Sequence, residues 1–180
     1  MLSRVAPVLL VLAAQPAWAE CPPEKETSAL RAALHTRLMN AQTEAEAARI
    51  ARSIWGIWLV APDAQAQDLL DRGIARRDSW DLEMSQALFD RLIAYCPDYA
   101  EGYNQRAFTR FLRRDYDGAL EDLESVLAAN PSHFGALSAK ALALVQQGRR
   151  QSAMKALRQA VDMHPFLRER PMLADLDQDL

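Results

Sequence analysis

The side chains in this sequence that could carry chemistry are three histidines, His35, His133 and His164, and two cysteines, Cys21 and Cys96. Histidine can move protons near neutral pH or bind a metal ion, and cysteine can act as a nucleophile or form a disulfide. The histidines lie far apart in the sequence, and no HExxH, CxxC or glycine-rich phosphate loop accompanies them. We therefore predict that the protein is not an enzyme, that it uses no cofactor or metal ion, and that its histidines are structural or solvent-exposed.

The composition predicts one globular domain that does not bind nucleic acid. Of the 180 residues, 50% are hydrophobic and 25% are charged, and the net charge is −3. A mildly acidic chain without a run of lysine or arginine lacks the basic face that phosphate binding needs. Six glycines, together with stretches rich in Ala, Leu, Gln, Glu and Arg, favour helix throughout.

A period of 34 residues in the sequence predicts the secondary-structure elements that position these side chains. Four columns of similar residues recur three times in one register, which predicts a structural repeat. The columns are Gly73, Ala107 and Ala141; Ser85, Ala119 and Ala153; Phe89, Leu123 and Leu157; and Pro97, Pro131 and Pro165.

Each unit is predicted to contain two helices joined by a short turn. In the middle unit, Asp98 with Glu101 three residues later is a candidate N-cap, and Pro131 follows the end of the second helix because proline cannot continue a helix. The small residues allow the helices to cross closely, and a unit of this size cannot bury its apolar face alone. The units, residues 66–99, 100–133 and 134–167, must therefore stack.

The residues on either side of the units are also predicted to be helical. Residues 20–65 form a degenerate helical pair, in which Thr43 and Glu46 make a capping box and Asp63 caps the helix that follows. Residues 168–180 form a short closing helix and an acidic tail.

Residues 66–167 resemble the tetratricopeptide repeat family, and AEGYNQRAFTRFLRRDYDGALEDLESVLAANPSH is the clearest copy. Ser85 replaces the usual alanine in the first copy, and Arg150 stands where an aromatic residue is common in the third. The resemblance implies an all-α, right-handed helical-repeat solenoid of antiparallel helix pairs. The chain also resembles uncharacterised exported repeat proteins of alphaproteobacteria, which implies a location but no activity.

The resemblance also implies where a partner binds, because members of this family use the concave face lined by the first helix of each repeat. We predict a non-catalytic scaffold or adaptor of the cell envelope that binds a protein or peptide. Members that bind a free C-terminal carboxylate need Lys and Asn where this chain has Leu70 and Ile74, so we do not expect that mode. The groove columns hold Arg77, Asn104, Phe108, Phe111, Leu112, Leu142 and Gln146.

Within this groove, Phe108 and Phe111 are three residues apart and are predicted to form its apolar centre. Leu142 extends the apolar strip, and Asn104 is expected to hydrogen-bond the backbone of an extended ligand. The alternative is that both phenylalanines pack between helices and that the groove is empty or filled by the protein itself.

A second set of aromatic residues gives an alternative function. In IWGIWLV, Trp55 and Trp58 are predicted to pack between the N-terminal pair and the first clear repeat, and the alternative is a surface that grips a partner. If the tryptophans, or Phe166 and Leu167 at the end of the stack, dock a second copy, the protein is a self-associating structural protein of the envelope.

The N-terminus predicts export. The residues MLSR bring one positive charge, the apolar stretch VAPVLLVLAA follows, and residues 1–19 end in the small-x-small pattern Ala17-Trp18-Ala19. This is the order of a secretory signal peptide cleaved before Glu20, and its apolar stretch is too short to span a bilayer. We expect a periplasmic protein with no integral membrane segment after cleavage.

Export permits a disulfide between Cys21 and Cys96. Cys21 precedes the first predicted helix, and Cys96 ends the second helix of the following pair. Because alternate helices run in opposite directions, the two cysteines lie on the same edge of the predicted stack, although not on adjacent helices. The sequence leaves two outcomes, a Cys21–Cys96 disulfide or two free thiols.

Overall fold

The computed structural model describes residues 21–23 and 26–178, and every regular element in these ranges is an α-helix. None of these helices is both long and apolar enough to cross a membrane. The predicted signal peptide lies outside the described residues. The helices are α1 (Ser28–Met39), α2 (Glu44–Trp58), α3 (Ala64–Asp78), α4 (Leu82–Tyr95), α5 (Ala100–Leu112), α6 (Tyr116–Ala129), α7 (Phe134–Gln146), α8 (Arg150–Met163) and α9 (Met172–Gln178).

Aspartate N-caps explain where several helices of the repeats begin. The carboxylates of Asp63, Asp81 and Asp115 accept hydrogen bonds from the third backbone N–H of α3, α4 and α6, at 2.8, 3.4 and 3.0 Å. The predicted cap at Asp63 is confirmed. Helix α5 differs from its prediction, because its N-cap is Tyr99 and not Asp98, and no side chain caps it.

The turn inside each repeat places one residue in the left-handed region of the backbone. Trp80, Arg114 and Gly148 are 34 residues apart and have φ angles of 63°, 64° and 71°. Glycine adopts this conformation freely, whereas a side chain there costs about 1 kcal/mol or more. Since the backbone is the same in all three turns, the repeat architecture, and not the local sequence, sets this conformation.

The repeats stack as the period predicts. Helix α3 packs on α4, α5 on α6 and α7 on α8, and successive repeats meet through α4 with α5 and α6 with α7. The column of Ser85, Ala119 and Ala153 is fully buried. Ser85 is accommodated in place of alanine because its hydroxyl donates to the carbonyl oxygen of Gly73 at 2.9 Å.

In the first repeat, a smaller residue in one column, Gly73, compensates for a larger residue in another, Phe89. A Cβ atom on Gly73 would lie 2.5 Å from the ring of Phe89. In the second repeat the same positions hold Ala107 and Leu123, which lie in one buried cluster. The larger side chain of Phe89 therefore requires the glycine.

We expect Gly73→Ala to lower the free energy of unfolding by about 2 kcal/mol, because the added methyl group overlaps the Phe89 ring. This loss would occur although alanine is the better helix former. The double variant Gly73→Ala/Phe89→Leu recreates the pair of the second repeat, and we expect it to be at least as stable as Gly73→Ala alone. Urea denaturation measures both effects, and a single variant as stable as the wild type would contradict the prediction.

The N-terminal pair, α1 with α2, does not continue the stack. Helix α2 crosses the turns between repeats instead of packing along α3, and α1 reaches α8. Tyr99, His133 and Leu167 lie at equivalent positions of successive turns, and all three contact the N-terminal pair. The Tyr99 hydroxyl donates to the carbonyl oxygen of Trp58 at 2.7 Å, and the His133 ring stacks on Trp58. Leu167 packs against the hydrophobic core that contains Trp58. The prediction of a degenerate repeat at this end is therefore corrected, because the pair is helical but lies across the turns.

A disulfide joins Cys21 to Cys96, whose Cα atoms are 5.1 Å apart. Cys96 is buried at the C-cap of α4. The two cysteines meet because α2 ends beside the turn between α4 and α5, which brings the segment before α1 to the same place. The N-terminal pair is thus covalently attached to the first repeat.

Helix α9 closes the other end of the stack. Leu176 is buried against α8, and the guanidinium of Arg150 donates to the carbonyl oxygen of Asp175 at 2.7 Å. A more exposed ion pair joins Arg158 to Asp177 at 3.5 Å. The predicted closing helix is present.

Candidate functional site, a groove between the repeats and the N-terminal pair

The first helices of the repeats, α3, α5 and α7, contact one another and form the inner face of the stack. A cavity of about 510 Å³ lies on this face, and we refer to it as the groove. Helix α2 forms the opposite wall. The lining of the groove includes Arg77, Asn104, Phe108 and Leu142 from the repeats and Ala51 and Trp55 from α2.

Phe108 presents an exposed ring to the groove, with 43% of its surface accessible. The guanidinium carbon of Arg77 lies 4.8 Å from the ring centroid, and Arg77 also donates hydrogen bonds to Gln105 and Asp78. These bonds hold the guanidinium against the ring. Phe108 is therefore positioned by its neighbours and still open to an apolar ligand group.

Asn104 lies in the wall of the groove but is only 6% exposed. Its side-chain amide donates to the buried carboxylate of Glu101 at 3.0 Å. One donor of the amide is thus used within the protein. Its hydrogen bond to a ligand backbone stays a prediction.

Three of the predicted groove residues lie elsewhere. Phe111 packs on Tyr116, with ring centroids 5.5 Å apart, and Gln146 accepts a hydrogen bond from the hydroxyl of the same tyrosine at 3.4 Å. Leu112 is half-buried and does not line the groove. The expectation that Phe108 and Phe111 together form the apolar centre is corrected, because α5 ends one residue after Phe111 and the next turn places Tyr116 against it.

The wall formed by α2 is the part of the groove that the sequence did not predict. The rings of Trp55 and Phe134 are nearly perpendicular, with their centroids 6.0 Å apart. A Cβ atom on Gly135 would lie 2.6 Å from the same Trp55 ring. Gly135 lies in the first turn of α7, at the position that Glu101 occupies in the preceding repeat, and its missing side chain makes room for Trp55. This glycine was the feature of the sequence that could have indicated that another helix packs there.

All three histidines converge beside this wall, although they are distant in the sequence. The rings of Trp58 and His133 stack at 3.7 Å, with 11° between their planes. His35 lies 5.9 Å from Trp58 and 6.2 Å from Phe134. His164 lies 5.3 Å from Phe134. We refer to these five residues as the histidine cluster.

The predicted packing role of Trp55 and Trp58 is thus observed at a different place. The rings of both tryptophans pack on His133, in the turn between the second and third repeats, and on Phe134 at the start of α7. The first repeat contributes the hydrogen bond from Tyr99 to the Trp58 carbonyl oxygen.

Phe166 and Leu167 pack against the same hydrophobic core as Trp58. The surfaces suggested for docking a second copy are therefore partly buried within the chain, and Trp55, Phe166 and Leu167 also line the groove.

His133 has a structural role that fixes its tautomer. Its Nδ1 atom accepts the backbone N–H of Ala136 at 3.0 Å and so caps α7. Its Nε2 atom lies 3.1 Å from the carboxylate of Glu101, which is also buried. With Nδ1 acting as the acceptor, we assign the proton of the ring to Nε2, which donates to Glu101.

The other two histidines are buried in surroundings that disfavour a positive charge. Burial lowers the pKa of His35, and the nearby His133 and Arg31 lower it further. Burial also lowers the pKa of His164. A hydrogen bond between the ring and the backbone of the same residue opposes this shift, and so does the carboxylate of Glu169. Both rings are therefore neutral at neutral pH.

The helix pairs and the groove on their inner face define the class of this protein as a helical-repeat solenoid. Residues 111–170, a third of the chain, match the family model described as tetratricopeptide repeat. A TPR repeat-containing protein of Rhizobium etli is 42% identical over 76 residues, which cover 42% of this chain and 37% of that protein. The small glutamine-rich tetratricopeptide repeat-containing protein 2 of Saccharomyces cerevisiae is 29% identical over 100 residues, or 56% of this chain and 29% of that protein. The chain thus spans well under half the length of either relative.

Solved structures show the same fold. The first TPR of Spaghetti (RPAP3), bound to the HSP90 peptide SRMEEVD, has a TM-score of 0.63 at 19% identity and covers 65% of this chain and 94% of its own. MamA from Desulfovibrio magneticus RS-1 has a TM-score of 0.60 at 20% identity and covers 87% of each chain. At these identities the likeness concerns the fold alone.

Proposed function

We propose that this protein is a non-catalytic scaffold of the cell envelope that captures a peptide segment of another protein in the groove. The observation that carries the proposal is the exposed Phe108 ring, which Arg77 holds in place on the inner face of the repeats. An exposed aromatic side chain at the centre of a cavity is a typical anchor point for a partner.

The comparisons support peptide capture as a use of this fold. The first TPR of Spaghetti is bound to an HSP90 peptide, and TPR2B of yeast Sti1 forms a complex with pHsp70. In the present chain, Leu70 is fully buried and Ile74 packs against the same core. We therefore propose an apolar anchor, and not a C-terminal carboxylate, as the recognised group.

The envelope location rests on the N-terminal sequence and on the disulfide. Residues 1–19 have the order of a signal peptide. The Cys21–Cys96 bridge suits an oxidising compartment such as the periplasm. Fractionation of the native host, with a check for the mature N-terminus at Glu20, tests this part of the proposal.

We expect Phe108→Ala to weaken capture about 30-fold or more, since truncating a central aromatic anchor costs about 2 kcal/mol. The probe is a peptide selected from a random phage-displayed library on the full, disulfide-bonded chain. Fluorescence anisotropy measures its affinity. The thermal midpoint of Phe108→Ala should stay within a few degrees of the wild type, because the side chain is not part of the buried core.

Phe111→Ala is the matched control, because Phe111 packs on Tyr116 outside the groove. We expect it to lower the thermal midpoint and to leave the affinity of the folded protein almost unchanged. If no selected peptide depends on Phe108, or if Phe108→Ala destabilises the protein as much as Phe111→Ala does, the groove is not the binding site.

A further inference from the structure

All three histidines of the chain lie at one interface, where the N-terminal pair meets the repeats. His35 comes from α1, His133 from the turn before α7, and His164 from the turn after α8. Trp58 and Phe134 lie between them. The interface that holds the α2 wall of the groove in place therefore contains every side chain whose ordinary pKa lies near 6.5.

His35 is the histidine that acid affects most directly. It is 8% exposed, and neither ring nitrogen has a hydrogen-bond partner among the described residues. Its ring neighbours, Trp58 and Phe134, are uncharged. The groups that act on its charge are Arg31 of the same helix and His133 of the facing turn, and both oppose protonation. Among the described residues, no carboxylate acts on His35 to offset a proton there.

The other two histidines have carboxylates near them. Glu101 faces the Nε2 atom of His133 at 3.1 Å. The Nδ1 atom of His133 accepts the backbone N–H of Ala136 and caps α7. Glu169 acts on His164, whose buried Nδ1 atom has no hydrogen-bond partner on another of the described residues. Among the three rings, only His35 has no carboxylate acting on it from the described residues.

We infer that the histidine cluster is an acid-sensitive latch, in which protonation of His35 undocks the N-terminal pair from the repeats and removes the α2 wall of the groove. Undocking takes Ala51 and Trp55 away from a bound peptide, so acid would promote its release. This regulation rests on the proposed function, because it acts on the same groove. The disulfide keeps the released pair attached to the first repeat.

The direction of the pH effect follows from the proton balance. When the pair is docked, burial lowers the pKa of His35, so the undocked state binds a proton more readily. Docking is therefore complete above about pH 6.5, the ordinary pKa of histidine, and weakens as the pH falls below that value. The docking equilibrium changes by up to about tenfold per pH unit for each responding histidine, until the pKa of the docked state is reached.

Hydrogen exchange of the full, disulfide-bonded chain tests the latch without any ligand. Mass spectrometry at pH 7.5 and pH 5.5, corrected for the intrinsic exchange rate at each pH, compares the amides of α1 and α2 with those of α3 to α6. We expect the protection of α1 and α2 to fall by up to about tenfold relative to α3 to α6 if His35 alone responds, and further if His164 also responds. A relative change below about twofold would overturn the proposal.

His35→Phe is the decisive variant, because the histidine nitrogens have no partners and a phenyl ring occupies nearly the same space. We expect it to keep α1 and α2 protected at both pH values. If this variant keeps the acid response of the wild type, His35 is not the trigger. If it fails to fold, a proton NMR titration of His35 in the wild type decides, since a pKa at or above 6.5 contradicts the latch.

The peptide measurement separates this proposal from the function on which it rests. If no peptide binds at either pH, peptide capture fails, whereas the exchange result still decides whether the latch exists. If a peptide binds and its dissociation rate is the same at pH 7.5 and pH 5.5 while α1 and α2 lose protection, the latch operates but does not control the groove.

Discussion

Replacing Asp122 by alanine is expected to lower the free energy of unfolding by about 3 to 5 kcal/mol. The Asp122 side chain is 3% exposed and pairs with Arg106 at 2.6 Å and with Arg110 at 3.1 Å, whose side chains are 16% and 18% exposed. Burial lowers the pKa of Arg106, but its hydrogen bonds to Asp122 and Asp90 outweigh this effect, and the pKa lies above its ordinary value. The variant would leave charged guanidinium groups without their shared buried partner.

Asp90→Ala is the matched control, because Asp90 binds the same Arg106 at 2.8 Å but is 48% exposed. Solvent screens an exposed ion pair, so we expect a loss below about 1 kcal/mol. Urea denaturation followed by circular dichroism measures both variants. A loss at Asp122→Ala no larger than at Asp90→Ala would mean that burial adds nothing to this ion-pair network.

Reducing the Cys21–Cys96 disulfide is expected to lower the free energy of unfolding by about 4 kcal/mol. The bridge joins residues 75 positions apart, and a loop of this length strongly restricts the unfolded chain. Denaturation curves of the oxidised protein, with and without a thiol reductant, measure the difference. The rate of amide hydrogen exchange in α1 and α2 should also rise on reduction, because the bridge attaches the segment before α1 to the end of α4.

Cys21→Ala is the cleanest control for this prediction, because it removes the bridge and leaves the buried sulfur of Cys96 in the core. We expect it to match the reduced wild type and to be insensitive to the reductant. A variant as stable as the oxidised protein would show that the bridge contributes no stability.

The stack could be predicted from the sequence because each repeat contacts its neighbours in the same way. Residues that recur in register, such as Ser85 and Ala119, occupy the same buried crossing of two helices. The period contains no information on an element that does not repeat. The placement of the N-terminal pair was therefore missed, and with it the approach of Trp55 to Gly135 and the convergence of the histidines.

The groove was predicted in part for a similar reason. Phe108 and Leu142 lie 34 residues apart on first helices, and both line the groove. Phe111 lies in the last turn of α5, where the chain that follows the helix decides what it touches. Helical spacing alone could not show that Tyr116 would cover it. The bridge between Cys21 and Cys96 also depended on the unpredicted position of α2, and the sequence left it open.

The contact between α1 and α8 has a consequence for how the protein unfolds. In an open array each repeat contacts only its neighbours, so its ends can fray one unit at a time and unfolding loses its all-or-none character. Here the first described helix packs on the last helix of the third repeat, and the disulfide anchors the same segment to the first repeat. The N-terminal pair therefore links the two ends of the stack, and the third repeat cannot unfold without releasing it. These long-range contacts couple the unfolding of repeats that would unfold independently in a linear array.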